Sequence, residues 1–429
     1  MHYKRIDSSL FIRNRKKILN SLKKNSVGIV HSNDEMHRTG DQNFPFRQNS
    51  NLFYLTGIDQ EKTVLLLIPG HPNEKMREIL FIRKSNKNLE IWEGHKLTTE
   101  EAEKISGIKT VRWFDELGAV LQEQLMINDT IYFDIPESLK YKTETEYRGQ
   151  RFLKILKEEY PLHQYERFFP VIAELRKIKE PEELDMIMRA CEITSLGFDH
   201  ILKTVRPEMM EYEIEADIIR EFIRQGADGH AYAPIIASGL NACVLHYISN
   251  GNQCKDGELL LMDFGAAYGN YSSDLSRTIP VNGRFTKRQK EIYEAVLRIF
   301  KYALSLINPG TTINKIHKEV CRKSEEEHIH LGLYSSDDLK NNKFDESLCL
   351  KYYMHGTSHF MGLDVHDIGS KDDELKPGMI ITCEPGIYIP EENTGIRIET
   401  DVLLTKEGNI NLMENVPVEV DEIENLMSK

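Results

Sequence analysis

GELLLMDFGAAYGNYSSDLSRTIPV, residues 257–281, places an acid where acids are costly. Four consecutive apolar residues, Leu259 to Met262, run directly into Asp263. Alternate side chains of a strand share a face, so Asp263 falls on the side of Leu259 and Leu261. A carboxylate at the end of such a strand is unfavourable unless it is paired or holds a cation. Asp274 follows eleven residues later, after a turn containing Gly and Ser and before a second apolar stretch. The plainer reading of these residues alone is a hairpin in which Asp274 caps the turn.

Two more acids downstream raise the same question. Glu384 ends the run MIITC (379–383) and precedes Pro385-Gly386, a turn signal. In TGIRIETDVLLT (394–405), Arg397, Glu399 and Asp401 share one strand face, opposite Ile396, Ile398 and Val402. Taken singly, Glu384 reads as an exposed boundary residue and Glu399 as the ion-pair partner of Arg397 or a cross-strand lysine. Between the two pairs of acids lies YMHGTSHFMGLDVHD (353–367), with His355, His359 and His366. As a set, the order is Asp, Asp, His, Glu, Glu. Carboxylates with one imidazole suit hard or borderline cations such as Mn²⁺, with Co²⁺ and Zn²⁺ as alternatives. Four carboxylates cancel the charge of two divalent ions. Two such ions about 3.5–4 Å apart can share a water and bring its pKa down toward ~7.

The rest of the chain limits the choices. At 429 residues it exceeds what one hydrophobic core usually supports, which predicts two domains. A net charge of -13 argues against a general nucleic-acid binder. The six cysteines form no C-x-x-C pair, and their scatter suggests buried thiols in a reducing compartment. The start, MHYKRIDSSLFIRNRKK, has no apolar run of signal-peptide length, and no stretch approaches the ~20 residues that span a bilayer. A soluble, cytoplasmic protein with neither nucleic-acid nor membrane partners is expected. Phosphate-cradling, dinucleotide, G-x-S-x-G and H-E-x-x-H motifs are all missing from the sequence.

In the first third, the apolar runs SVGIV (26–30), TVLLLIP (63–69), EILFIRK (78–84) and TIYFDIP (130–136) alternate with helical segments such as TTEEAEKI, whose Thr and early acids mark a helix start. This predicts an α/β domain over residues 1–168. From 167 to 207 the chain reads as a long helical tract, with Leu184, Ile187, Cys191, Thr194, Phe198 and Ile201 on one face and Pro181 in a first turn. A second domain is expected over 169–429. Within it, VRPEMMEYEIE (205–215) and INPGTTINKIH (307–317) echo one another: each follows an apolar helix and opens another. The echo marks either two copies of one α/β half or a chance similarity.

The ordered set Asp263, Asp274, His359, Glu384 and Glu399 resembles the ligand set of the pita-bread metallopeptidases. Around it, HGTSHFMGLDVHD, DLSRTIPVNGRF, EPGIYI and GIRIE are similar to the signatures of the Xaa-Pro aminopeptidase (aminopeptidase P) and prolidase branch. FPFRQNSNLFYLTGI (44–58) is similar to a segment of that branch's N-terminal domain, so the resemblance covers nearly the whole chain. It implies an α/β (α+β) architecture: an N-terminal α/β domain, then a pita-bread catalytic domain with pseudo-twofold α/β halves. It implies a dinuclear metal-dependent aminopeptidase that cleaves between an N-terminal residue and a penultimate proline, by attack of a metal-bridging hydroxide. Asp263 would chelate one ion, Asp274 and Glu399 would bridge both, and His359 and Glu384 would complete the second. Glu384 would also be the general base. His246, His355 and His366 would line the substrate site, while Arg397 and Tyr388 would orient ligands. A homodimer or homotetramer is implied as well. The alternatives are an Xaa-Pro dipeptidase (prolidase) and a non-catalytic pita-bread scaffold. The chain departs from many relatives at Ala267, where an acid often precedes the tyrosine, and at Thr400, often acidic.

Other residues read more simply. EEEHIH (325–330) reads as a solvated, charged helix or turn. Cys383 reads as a buried thiol on the opposite strand face from Glu384. His230 reads as an ordinary loop histidine, and His317 as a surface or boundary histidine.

Overall fold

The four apolar runs of the first third all become strands of one sheet. In the computed structural model, which describes residues 3–137, 144–341 and 348–428, the sheet runs in the order Thr110–Trp113, Glu78–Ile82, Val64–Leu67, Ser26–His31, Thr130–Phe133, Gln164–Arg167. Ser26–His31 pairs antiparallel with Val64–Leu67 and parallel with Thr130–Phe133. Val27, Ile29, Val64, Leu66, Ile79, Phe81 and Ile131 fill its core. The helix start at Thr98 is a capping box with Glu101, opening helix Thr99–Ser106. This sheet and its helices form one compact unit, Ile6–Arg176; residues 3–5 and 177–428 form the other.

In the second unit the opening hairpin is as expected. Strand Leu259–Phe264 pairs antiparallel with Leu275–Pro280, Asp263 standing opposite Ser276, and with Ile235–Ser238 on its other edge. A second antiparallel sheet comprises Ile380–Cys383, Thr400–Thr405 and Gly408–Asn411, and Gly386–Ile389 pairs with Thr394–Arg397. Helices Pro181–Thr204 and Glu211–Arg224 pack as one pair, and Lys287–Leu306 and Ile313–His330 as another. The two echoing segments are the joints of these two pairs.

The helical tract is interrupted once, just before Pro181, the residue expected in a first turn. It is two helices, Phe169–Arg176 and Pro181–Thr204. Pro181 sits at the first turn of the second, where its ring cannot accept a continuing helix. In the gap, the Lys179 backbone N–H donates to the Gly378 carbonyl, and Lys177 and Lys179 form ion pairs with Asp373 and Asp367 at 2.9 and 3.0 Å. The Gly378 carbonyl thus satisfies one backbone N–H that the break frees, and the ion pairs anchor the two lysine side chains.

The turn joining Asp263 to Asp274 is held by backbone contact. Thr194 of helix Pro181–Thr204 meets the Ser273 hydroxyl at 2.7 Å and accepts the Ala266 N–H at 2.9 Å. A Cβ on Gly265 would lie 1.8 Å from the Ser273 carbonyl oxygen. Backbone can yield only by opening the hairpin, so Gly265→Ala should lower stability by about 3 kcal/mol, read by urea unfolding. A change under about 0.5 kcal/mol would show that this approach is not a constraint.

Candidate metal centre

Each predicted acid reaches the site from a strand end or its adjoining turn. Asp263 stands on strand Leu259–Phe264, Asp274 one residue before Leu275–Pro280, and Glu399 one residue before Thr400–Thr405. The histidine-rich segment runs beside strand Ile380–Cys383: the Thr382 and Glu384 N–H groups donate to the His359 and Thr357 carbonyls, both at 2.9 Å. That pairing places His359 Nε2 at 3.7 Å from Glu384 and 3.3 Å from Asp274. Ligand atoms of Asp274, His359 and Glu399 lie within 4.8 Å of one another. Asp263 joins them through Tyr232, whose hydroxyl stands 2.6 Å from Asp263 Oδ1 and 2.5 Å from Asp274 Oδ1.

Asp274 therefore does not cap its turn. Its N–H donates to Asp401 Oδ2 at 2.9 Å, and its carboxylate is buried against Tyr232 and His359. Glu399 does not pair with Arg397 either. The Arg397 guanidinium donates to Asp263 (2.6 Å), the Tyr388 hydroxyl (2.8 Å) and Ser276 Oγ (2.7 Å); Ser276 in turn donates to Glu399 at 2.6 Å. Glu384 is no exposed boundary residue, since its side chain keeps 18% exposure.

The remaining predicted residues divide. His355 Nδ1 donates to the Gly356 carbonyl at 2.9 Å, leaving Nε2 to accept from the Tyr388 hydroxyl at 2.7 Å. It stands 3.5 Å from Glu384. Burial, and then the Arg397 charge, push His355 down to about 3, so the ring is neutral. His366 is exposed and stacks on His359, with centroids 4.0 Å apart and planes at 10°. His246 is exposed on the turn after Gly239–Cys243, and its side chain makes no hydrogen bond or ion pair with another described residue.

The electrostatics show what the donors lack. Burial raises Asp263, Glu384 and Glu399 above the usual carboxylate range, Glu384 to about 7. The His359 charge opposes that rise at Glu384, and Arg397 opposes it at Asp263, but the neighbouring acids reinforce it. Burial alone would lower His359; its hydrogen bond to Asp274 and the charge of Glu384 raise it to about 9 instead. Its Nδ1 donates to the Phe360 carbonyl at 3.0 Å, which aims Nε2 at the acids. Four acids around one guanidinium leave negative charge that protons neutralise in the protein alone. The donor set, four carboxylates and an oriented imidazole, fits a pair of divalent ions.

Several residues here had escaped sequence reasoning. Tyr232, in the loop GHAYAP, has no pattern around it that announces a shared proton. Asp401 had been placed on the right face, yet nothing local showed that it holds the Asp274 backbone. His317 is half-buried, as the boundary alternative of its reading has it, and its Nδ1 lies 2.9 Å from the Thr357 hydroxyl, a contact the sequence did not show. The EEEHIH reading holds for exposed His330 and fails for His328, which is buried against Tyr334 and Tyr352, and for Glu327, buried and paired with Arg298 at 2.7 Å. Cys383 is fully buried, as expected. His230 pairs with Ala266 in a short strand and packs on Phe222.

Comparison with known proteins gives a family for this geometry. The model of metallopeptidase family M24 matches residues 185–406, and that of the aminopeptidase P N-terminal domain matches residues 11–132. An Xaa-Pro aminopeptidase of Haemophilus influenzae is 36% identical, with 97% of each chain covered. Its Escherichia coli counterpart is 35% identical over the same shares. The structure of zinc-substituted E. coli aminopeptidase P in complex with product superposes with a TM-score of 0.88 at 33% identity, covering 99% of both chains.

Cation binding at these donors must expel protons. Glu384 near 7 and His359 near 9 are both protonated at pH 6 in the metal-free protein; at pH 8 only His359 is. Calorimetric titration with Mn²⁺ in buffers of different ionisation enthalpy should show proton release at pH 6 that shrinks by pH 8. Release that is the same at both pH values would remove Glu384 from the ligand set.

Proposed function

The chain belongs to metallopeptidase family M24, and from this we propose that it is a metal-dependent aminopeptidase acting on peptides with proline in the second position. The observation that carries the reading is the gathering of Asp263, Asp274, His359, Glu384 and Glu399, with His355 and His366 beside them. Two divalent ions held by those five residues, manganese by our assignment with cobalt and zinc as alternatives, would supply a water acidic enough to attack an amide at neutral pH.

The chain's own groups do the rest. We assign Glu384, 3.7 Å from His359 and 3.5 Å from His355, to take a proton from the attacking water and return it to the departing nitrogen. A bond before proline is a tertiary amide without an N–H, and its leaving group is a secondary amine that needs that proton. Arg397 fixes Asp263 directly and His355 through Tyr388. We assign His355 and His366, with exposed His246, to the substrate carbonyl and the proline side. We also assign the enzyme to the cytoplasm and to a homodimer or homotetramer. No helix among the described residues is long and apolar enough to cross a membrane.

With Mn²⁺ added, an Xaa-Pro-Xaa tripeptide should be cleaved to a free first residue. Cleavage of an Xaa-Pro dipeptide alone would overturn the assignment in favour of a dipeptidase. Asp274→Ala should lower kcat/KM by more than ~100-fold while cooperative unfolding persists. Near-full turnover in that variant would exclude Asp274 as a ligand.

A further inference from the structure

The turn that carries His246 is held from outside by one side chain. Glu211 opens helix Glu211–Arg224 and is fully buried. Its Oε1 accepts from the Ser238 N–H (2.8 Å), the Ser238 hydroxyl (2.8 Å) and the Asn241 side-chain amide (3.0 Å). Its Oε2 accepts from the Tyr247 hydroxyl at 2.7 Å and the Asn252 N–H at 2.8 Å. Donors from the entry, the middle and the exit of one loop thus converge on a single carboxylate. Glu215, one helical turn further on, accepts from the Asn250 side-chain amide at 2.8 Å and supports the same loop.

Along this loop the side chains alternate. Cys243, Leu245 and Tyr247 are half-buried and pack on a core cluster that includes Leu261 and Tyr388. Val244, His246 and Ile248 are exposed. The cluster adjoins the metal centre, because Leu261 lies two residues before Asp263 on its strand and Tyr388 bonds His355. His246 makes no bond of its own to another described residue, so its place follows from its neighbours. The inward neighbour is Tyr247, whose hydroxyl ends on Glu211. A glutamine at 211 would turn its NH₂ toward the Ser238 N–H or the Asn252 N–H, and a backbone N–H cannot become an acceptor. The arrangement therefore needs the carboxylate.

We propose that Glu211 is a positioning residue of the peptidase reaction: through Tyr247 and Asn252 it sets where His246 stands for the substrate. Losing the Tyr247 bond frees the inward anchor next to His246, while the ring keeps its packing on the cluster. Losing the carboxylate also leaves buried donors unsatisfied, which costs more. The effect on turnover rests on the reading of His246 as a substrate-binding group; the pinning of the turn does not.

The test is a double-mutant cycle in the Mn²⁺-loaded enzyme. Tyr247→Phe should lower kcat/KM for an Xaa-Pro-Xaa tripeptide several-fold, and Glu211→Gln should lower it further. Neither loss should recur in a His246→Ala background, because residues that act through one group are not additive. Additive losses would overturn the positioning role and leave ordinary packing, as would unchanged kcat/KM in Tyr247→Phe. Amide hydrogen exchange reads the turn directly: residues 244–252 should exchange faster in Tyr247→Phe, with helix Pro181–Thr204 unchanged. Equal exchange over 244–252 would overturn the pinning. Should Glu211→Gln not fold, Tyr247→Phe decides alone. Full turnover in His246→Ala would overturn the link from the turn to the substrate. If the parent enzyme shows no peptidase activity, only the reading of its function fails, and the exchange still decides whether Glu211 and Tyr247 hold the turn.

Discussion

One buried guanidinium organises the centre. Arg397 reaches Asp263, Ser276 and Tyr388 with three different nitrogens, and through the last two it reaches Glu399 and His355. Burial alone would lower its pKa, but Tyr388, Asp263 and Glu399 hold it well above the ordinary arginine value. A point charge such as lysine has no planar fork to reach three partners at once. Leaving its partners buried and unpaired would cost about 3–5 kcal/mol, so the site and the fold around it depend on the same side chain.

Around that cation the acids outnumber the positive charge. The fold tolerates this because each acid meets a donor: Arg397 for Asp263, His359 for Asp274, with the single Tyr232 hydroxyl proton between those two acids, Ser276 for Glu399 and Thr382 for Glu384. Asp401 lies deeper and accepts the Asp274 N–H and the Cys191 thiol, with burial raising its pKa. Every one of these donors sits on a strand or an adjoining segment, so small shifts in register would unmake several contacts together.

How much of this could be read from the sequence depended on range. The hairpin around Asp263 was legible because strand alternation is local, and the N-terminal strands were legible because apolar runs end at polar or proline residues. The five-residue set was legible only as an ordered group, since every acid alone had an ordinary reading. Asp274 misled most: a residue after a Gly- and Ser-containing turn looks like a cap, and only the antiparallel pairing, Asp263 opposite Ser276, shows that it faces inward. Tyr232 and His317 were out of reach because their partners lie 31 to 42 residues away in one case and 40 in the other. Pro181 was legible as a helix start, but the ion pairs that hold the segment before it were not, because those lysines find acids nearly two hundred residues later.

The close approach of Gly265 to Ser273 has a further consequence. The backbone spacing of Asp263 and Asp274 is set by this close approach, so when the acids repel or a cation enters, the adjustment falls to their short side chains. The centre behaves like a grain of ion-exchange resin: a fixed matrix of acidic groups whose counter-ions alone are swapped. Its capacity was decided when the hairpin closed.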